Sequence, residues 1–152
     1  MKYAIGVGSN RGDREAIISQ AAALVNDGLR LIATAPLFST QAVGGPAGQG
    51  AYVNTAWVIE SDLGPHQVLH RLQAIETALG RFRTIHWGSR TLDLDLLLRD
   101  DGLVMKTPVL TIPHPLMHLR AFVVAPLSHL AGSWRHPLLR CTVAELALAT
   151  VR

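Results

Sequence analysis

Between Gly80 and Leu98 the chain reads GRFRTIHWGSRTLDLDLLL, and two chemistries meet there. Arg81, Arg83, His86 and Arg90 surround Trp87-Gly88-Ser89. Guanidinium groups at that density suit phosphate oxygens, which they bind through paired hydrogen bonds. Thr91 to Leu98 then alternates polar and apolar before turning fully apolar, the pattern of a β-strand with one buried face. Asp93 and Asp95 share its other face, roughly 6.5 Å apart along the strand. At that spacing both carboxylates can ligate one hard cation or bridge a pair. The plainer alternative is a solvated face with a salt bridge to a nearby arginine, because an isolated D-x-D is a weak motif. Like charges on one face resist desolvation unless something positive sits between them. With the arginines at fixed spacing upstream, a divalent metal carrying a polyphosphate becomes the preferred reading.

Other residues have chemistry of their own. Tyr52 and Asn54 are two apart in a strand-like run, so they point the same way. The Asn54 amide both donates and accepts, which suits the edge of a pterin or purine, and Tyr52 can stack on such a ring. A half-buried strand pair with satisfied polar tips explains them equally well. Gln73 and Glu76 lie side by side on a helix, where a solvated face is the default. His66 and His70 stand at zinc-ligand spacing, but no third ligand is near in sequence, so they read as surface residues. The glycines at 6, 8 and 12 match neither the dinucleotide fingerprint nor a P-loop.

The elements that position these residues follow from periodicity. Tyr3 to Val7 is a strand ending in a turn at Gly8-Ser9-Asn10. Asp13 caps a helix whose apolar face is Ile17, Ala21, Leu24 and Val25, stopped by Gly28. A strand with imperfect alternation spans about Leu29 to Ala35. Thr40 to Gly50, with four glycines and a proline, is a loop long enough to be functional. Ala51 to Glu60 is a strong strand. Pro65 opens a helix reaching Leu79, with Val68, Leu69, Leu72, Ile75 and Leu79 on its apolar face and Gly80 as its stop. Asp101-Gly102 signals a hairpin turn between the long strand and short strands at Leu103 to Met105 and Val109 to Ile112. Pro126 to Leu139 reads as loop-rich, with Trp134 packing on the core. Thr142-Val143-Ala144-Glu145 is a capping box that opens a last helix burying Val143, Leu146 and Ala147.

The run R-x-R-x-x-x-W-G-x-R-T-L-D-L-D resembles the signature of the 6-hydroxymethyl-7,8-dihydropterin pyrophosphokinase family, and the resemblance extends from Tyr3 to about Leu148. It includes G-S-N, Tyr-x-Asn, Gln-x-x-Glu and P-H…Arg-x-Phe in order. It implies transfer of the β,γ-pyrophosphoryl group of ATP to the pterin hydroxymethyl oxygen, with release of AMP. It further implies two Mg²⁺ ions on Asp93 and Asp95, with Arg81 and Arg90 closing over the phosphates as catalytic groups. Gln73, Glu76, Arg83 and Trp87, and beyond them Leu96, Thr111, His114 and Arg120, are implied as ATP contacts. Thr40, Gln41 and Val43, through their backbone, and Tyr52, Asn54 and Phe122 are implied as pterin contacts, with Tyr52 and Phe122 forming a sandwich. The sequence departs from the family at His86, where Arg is common, at Ser89 and Gln41-Ala42, where Pro is common, and at Pro115. The β-α-β-β-α-β order and the family agree on an α+β, ferredoxin-like α-β-α sandwich around a mainly antiparallel sheet.

Bulk properties fit one domain over residues 1–152, a length that buries about 68–70% of the unfolded chain's surface. Apolar content of 49% against 16% charged residues places it among globular chains rather than disordered ones. No apolar run reaches the ~18 residues of a membrane span. Met1-Lys2-Tyr3 leads directly into a strand, so no signal peptide is expected. A single cysteine, Cys141, fits a reducing cytoplasm. The net charge of +3 accommodates an anionic ligand without a nucleic-acid footprint, and no feature demands an oligomer, so a monomer acting on ATP and a pterin is expected. Two rivals stand beside this reading: a paralogue acting on a modified pterin, and a non-catalytic binding module of the same fold.

Overall fold

The computed structural model describes residues 1–10, 14–40, 52–81 and 92–150, with the backbone alone at 40, 80 and 81. In chain order the elements are β1 (Lys2–Ser9), α1 (Arg14–Gly28), β2 (Arg30–Thr34), β3 (Phe38–Thr40), β4 (Tyr52–Glu60) and α2 (Pro65–Glu76), which runs on as a π turn (Thr77–Arg81). Then come β5 (Asp93–Arg99), β6 (Met105–Lys106), β7 (Thr111–Ile112), a 3-10 turn (Met117–Leu119), α3 (Ala121–Ala131), β8 (Arg135–His136), β9 (Cys141–Thr142) and α4 (Val143–Thr150).

The main sheet runs β2-β4-β1-β5, with β3 also on β4, and every pairing is antiparallel. β1-α1-β2 therefore crosses over β4, and β4-α2-β5 crosses over β1. This is the interleaved split βαβ arrangement of a ferredoxin-like fold. Alternate residues of β1 feed two cores. Tyr3, Ile5 and Val7 join Trp57, Leu94 and Leu96 beneath α1 and α2. Ala4 joins Ala56, Leu97 and Leu98 beneath α3 and α4. With both faces covered, β1 and β4 read as nearly continuous apolar runs.

A bulge sits in β5. Ile5 opposes Leu96 while Ala4 opposes Leu98, which leaves Leu97 as an extra residue. Leu97 and Leu98 both enter the second core. The two-residue alternation upstream is untouched, so Asp93 and Asp95 keep one face and Leu94 and Leu96 the other.

Several expectations are corrected. In α1 the buried residues are Ile18, Ala21 and Val25, whereas Leu24 is exposed. Asp13 lies outside the described residues. The imperfect alternation of β2 is a register shift between Leu31 and Ala33. Thr40 belongs to β3 rather than to a loop. The α-helical part of α2 ends at Glu76, and a π turn carries the chain through Gly80. The turn at Asp101-Gly102 forms, with Gly102 at φ 76° and its N–H on the Arg99 carbonyl at 3.1 Å. It does not make a hairpin with β5, because β6 pairs β7 in a separate ribbon. The largest difference is α3, which occupies the start of the stretch read as loop. Pro126 lacks the N–H that would bond the Phe122 carbonyl, so it argues against helix. Burial of Val123, Val124, Leu127 and Ala131 against the sheet outweighs that loss. The β8–β9 hairpin was likewise not foreseen, its strands being only two residues long.

At the C-terminal end the expectations hold. Thr142 N–H donates to Glu145 Oε1 at 2.9 Å and Glu145 N–H to Thr142 Oγ1 at 3.1 Å, a reciprocal capping box. Trp134 packs against the second core. Among the described residues no helix is long and apolar enough to cross a membrane.

Candidate active site

The site is laid out by strand register. Asn54 on β4, Gly8 on β1 and Asp93 on β5 are cross-strand partners in one row. The row two residues along consists of Ala56, Gly6 and Asp95. Directly opposed residues share a face, so Asn54 and both aspartates lie on the face that further along receives α3 and α4. At both rows β1 contributes glycine. Over Gly6 the Leu97 side chain closes the surface, 3.3 Å from where a Cβ would stand, so the shallow trough between β4 and β5 lies over Gly8. Asn54 leans into it: a Cβ on Gly8 would lie 3.1 Å from Asn54 Oδ1. Asn54 is buried while Tyr52, two residues before it, is 38% exposed at the mouth.

β5 is an edge strand, and its outer edge is occupied. Glu76 Oε2 accepts the Leu94 N–H at 2.8 Å, and the His114 N–H donates to the Leu97 carbonyl at 2.8 Å. Beyond that edge lies a groove of about 280 Å³ whose lining includes Leu69, Asp95, Leu96, Thr111, His114 and Pro115. The β6–β7 ribbon forms its far wall. There Thr107 and Leu110 close a tight turn, the Leu110 N–H reaching Thr107 Oγ1 at 3.1 Å. His66, expected to be a plain surface residue, tethers this ribbon to α2 through a 3.2 Å contact with Thr107 Oγ1.

The segment after β7 is wound tightly. The Leu116 N–H donates to His114 Nδ1 at 3.1 Å, which leaves the proton of the neutral ring on Nε2. Burial pushes the His114 pKa down, with Asp95 opposing that shift and Arg120 reinforcing it. His114 is thus within electrostatic reach of both an aspartate of the trough and the Arg120 guanidinium. Arg120 opens α3 and places its guanidinium 5.8 Å from the Phe122 ring centroid. Phe122 is 43% exposed.

The structure thus gathers Asp93, Asp95 and Asn54 in the trough, with Tyr52 at its mouth. It gathers Asp95, Leu96, Thr111 and His114 along the groove, and joins Arg120 to Phe122. Gln73 and Glu76, a solvated pair by spacing alone and ATP contacts by the resemblance, part company: Gln73 stays exposed, while Glu76 is 5% exposed and bonded to β5. Gln41, Val43, Arg83, His86, Trp87, Ser89 and Arg90 lie outside the described residues, and for Thr40 and Arg81 only the backbone is described. One polar group was overlooked. Asn10, just past β1, has a buried Oδ1 with no hydrogen-bond partner among the described residues. Its place in G-S-N was the only sequence signal, and a turn accounted for it.

Comparisons with known proteins follow the same lines. The model of the 7,8-dihydro-6-hydroxymethylpterin-pyrophosphokinase (HPPK) family matches residues 4–132. A 2-amino-4-hydroxy-6-hydroxymethyldihydropteridine pyrophosphokinase of Bacillus subtilis is 40% identical over 128 residues, covering 83% of this chain and 75% of that protein. The Aquifex aeolicus protein of the same name is 31% identical over 141 residues, covering 93% and 87%. Among solved structures, a triple mutant of Plasmodium falciparum HPPK-DHPS superposes with a TM-score of 0.79 at 15% identity. That match covers 99% of this chain and 44% of the Plasmodium chain, and it speaks to the fold alone. By the family match and these identities, the chain belongs to the 7,8-dihydro-6-hydroxymethylpterin-pyrophosphokinase family.

Proposed function

We propose that this chain moves the β,γ-pyrophosphoryl group of ATP onto the hydroxymethyl oxygen of 6-hydroxymethyl-7,8-dihydropterin across the trough over Gly8. Its family makes it a pyrophosphokinase, an enzyme of folate biosynthesis that uses ATP. One juxtaposition carries the assignment of roles: Asp95 borders both the trough that holds Asn54 and the groove lined by Leu96, Thr111 and His114. The pterin occupies the trough, with its amide edge on Asn54 and its faces toward Tyr52 and Phe122. ATP lies along the groove, its triphosphate reaching from His114 and Arg120 toward the aspartates.

The reaction joins the pterin alcohol oxygen to the β-phosphorus and breaks the bond to the α–β bridging oxygen. AMP leaves with that electron pair, and the alcohol proton passes to solvent. Holding the alcohol and phosphorus in line is a positioning task. Asp93 and Asp95 fit Mg²⁺: they are hard oxygen donors on one face, and Asp93 stands beside Gly8, which adds no side chain. Mg²⁺ takes one or two carboxylates and completes its shell with phosphates and water. Among the described residues no three His, Cys, Asp or Glu gather, so phosphate oxygens and water would supply the remaining ligands. Asp93 and Asp95 would hold two Mg²⁺ ions, which would supply neutralising charge for the phosphates and polarisation of the alcohol. Neutral His114 donates from Nε2, and Arg120 offers a guanidinium to the phosphates. Arg81 and Arg90 complete the charge around the leaving AMP, with Gln73, Arg83 and Trp87 holding the nucleotide. Thr40, Gln41 and Val43 border the pterin.

The chain is further proposed to act as a monomer in the cytoplasm, a reducing compartment that its lone thiol at Cys141 fits. The test is product analysis. Incubation with ATP, Mg²⁺ and 6-hydroxymethyl-7,8-dihydropterin is expected to yield AMP in step with a pyrophosphorylated pterin. ADP in place of AMP contradicts the reading.

A further inference from the structure

We infer that Glu76 is the positioning residue of the aspartate pair, acting through the backbone of β5 rather than by touching a substrate; this rests on the metal-holding role proposed for Asp93 and Asp95. Among the described residues, β5 is hydrogen-bonded within the sheet on one side only. An edge strand presents unpaired N–H and C=O groups and is free to fray or slip. Here the outward N–H of Leu94 is held by Glu76 Oε2 at 2.8 Å. Leu94 stands between the two aspartates, so this bond fixes the peptide that joins Asp93 to Leu94 and, one residue on, the course of the strand into Asp95. The His114 N–H on the Leu97 carbonyl holds the strand three residues further on.

Two observations mark this contact as built. Glu76 is only 5% exposed, and a carboxylate is taken out of water at high cost unless hydrogen bonds compensate. It is also the last residue of α2 before the π turn, a local widening common at functional sites. One side chain thus ties the end of α2 to the strand that carries Asp93 and Asp95.

Three variants test this in the full chain. The first readout is amide exchange at Leu94, followed by NMR without metal or nucleotide. Glu76→Gln keeps an acceptor, and Leu94 should stay protected; Glu76→Ala should exchange there about tenfold faster or more. The second readout is the Mg²⁺ concentration for half-maximal turnover at saturating ATP. It should rise about 10-fold or more in Glu76→Ala, the scale of a lost ligand-orienting contact, and hold within about threefold in Glu76→Gln. Unchanged Leu94 exchange in Glu76→Ala overturns the proposal. So does a raised KM for ATP at an unaltered Mg²⁺ requirement, which marks a direct nucleotide contact. If Glu76→Ala fails to fold, Glu76→Asp, one methylene shorter, should still speed Leu94 exchange several-fold, and unchanged exchange overturns the proposal again. A wild-type chain without pyrophosphoryl transfer would sink the assigned function, and the exchange measurement would still decide the clamp.

Discussion

Asn54 rests over Gly8, with its Oδ1 3.1 Å from where a Cβ on residue 8 would stand. That spacing is tighter than ordinary van der Waals contact, so any side chain at position 8 moves the amide. Gly8→Ala is expected to raise the KM for the pterin about tenfold, equivalent to ~1.4 kcal/mol of binding, with a much smaller change for ATP. Removing a strand glycine relieves some conformational entropy, so the melting temperature should not fall in step. Steady-state kinetics with each substrate varied decides it; an unchanged pterin KM means that Asn54 is not held for the pterin.

Phe122, at the start of α3, and Tyr52, at the start of β4, are aromatic rings left 43% and 38% exposed. A stacked ring contributes roughly 0.5–1.5 kcal/mol beyond its area. Phe122→Ala should therefore weaken pterin binding by several-fold to tenfold or more. Because the Arg120 guanidinium lies 5.8 Å from the Phe122 ring, the same change should also loosen ATP slightly. Calorimetric titration of each ligand separates the two effects. Equal loss for pterin and ATP would contradict the sandwich.

Stability should depend on pH through His114 and His136. Burial lowers both pKa values, and at His136 the neighbouring His118 lowers it further. His136 Nδ1 accepts N–H groups from Leu138 and Leu139, bonds lost on protonation there. A histidine depressed in the folded state binds more protons unfolded than folded. Its penalty is therefore absent above the unfolded pKa of about 6.5 and grows as pH falls below it. Thermal midpoints should drop between about pH 7 and pH 5. The drop should be shallower in a His114→Gln, His136→Gln double variant, and equal slopes would remove both residues from the account.

Tyr3 is fully buried and its hydroxyl donates to the Leu63 carbonyl at 2.7 Å, closing the loop ahead of α2 onto β1. Tyr3→Phe leaves that carbonyl without its partner and should cost about 1 kcal/mol. Urea unfolding measures it at an unchanged m-value. A cost near zero would mean that water replaces the hydroxyl.

What was legible in the sequence tracks how local its physical cause is. Strict alternation through Leu94 and Leu96 placed Asp93 and Asp95 on one face, because a strand's period is a local property. The bulge at Leu97 was hidden, since consecutive leucines do not say which of them turns over. Spacing alone makes Glu76 a solvated residue and the resemblance makes it an ATP contact, but nothing in a helix sequence announces that a carboxylate meets a strand edge eighteen residues later. Pro126 suggested a break where burial of Val123, Val124 and Leu127 sustains a helix. His66 found Thr107 across the fold, a pairing that spacing cannot show. The trough was half visible: Tyr-x-Asn and D-x-D were readable, but their meeting across Gly8 is a matter of register.

The most direct test of the site compares AMP formation by the wild-type chain and by Asp95→Asn, under ATP, Mg²⁺ and 6-hydroxymethyl-7,8-dihydropterin. The substitution keeps the shape and removes the charge at the point where trough and groove meet. The expected result is a fall in turnover on the order of 10³-fold at an unchanged melting temperature. AMP formation at the wild-type rate in a folded Asp95→Asn chain would place the chemistry elsewhere.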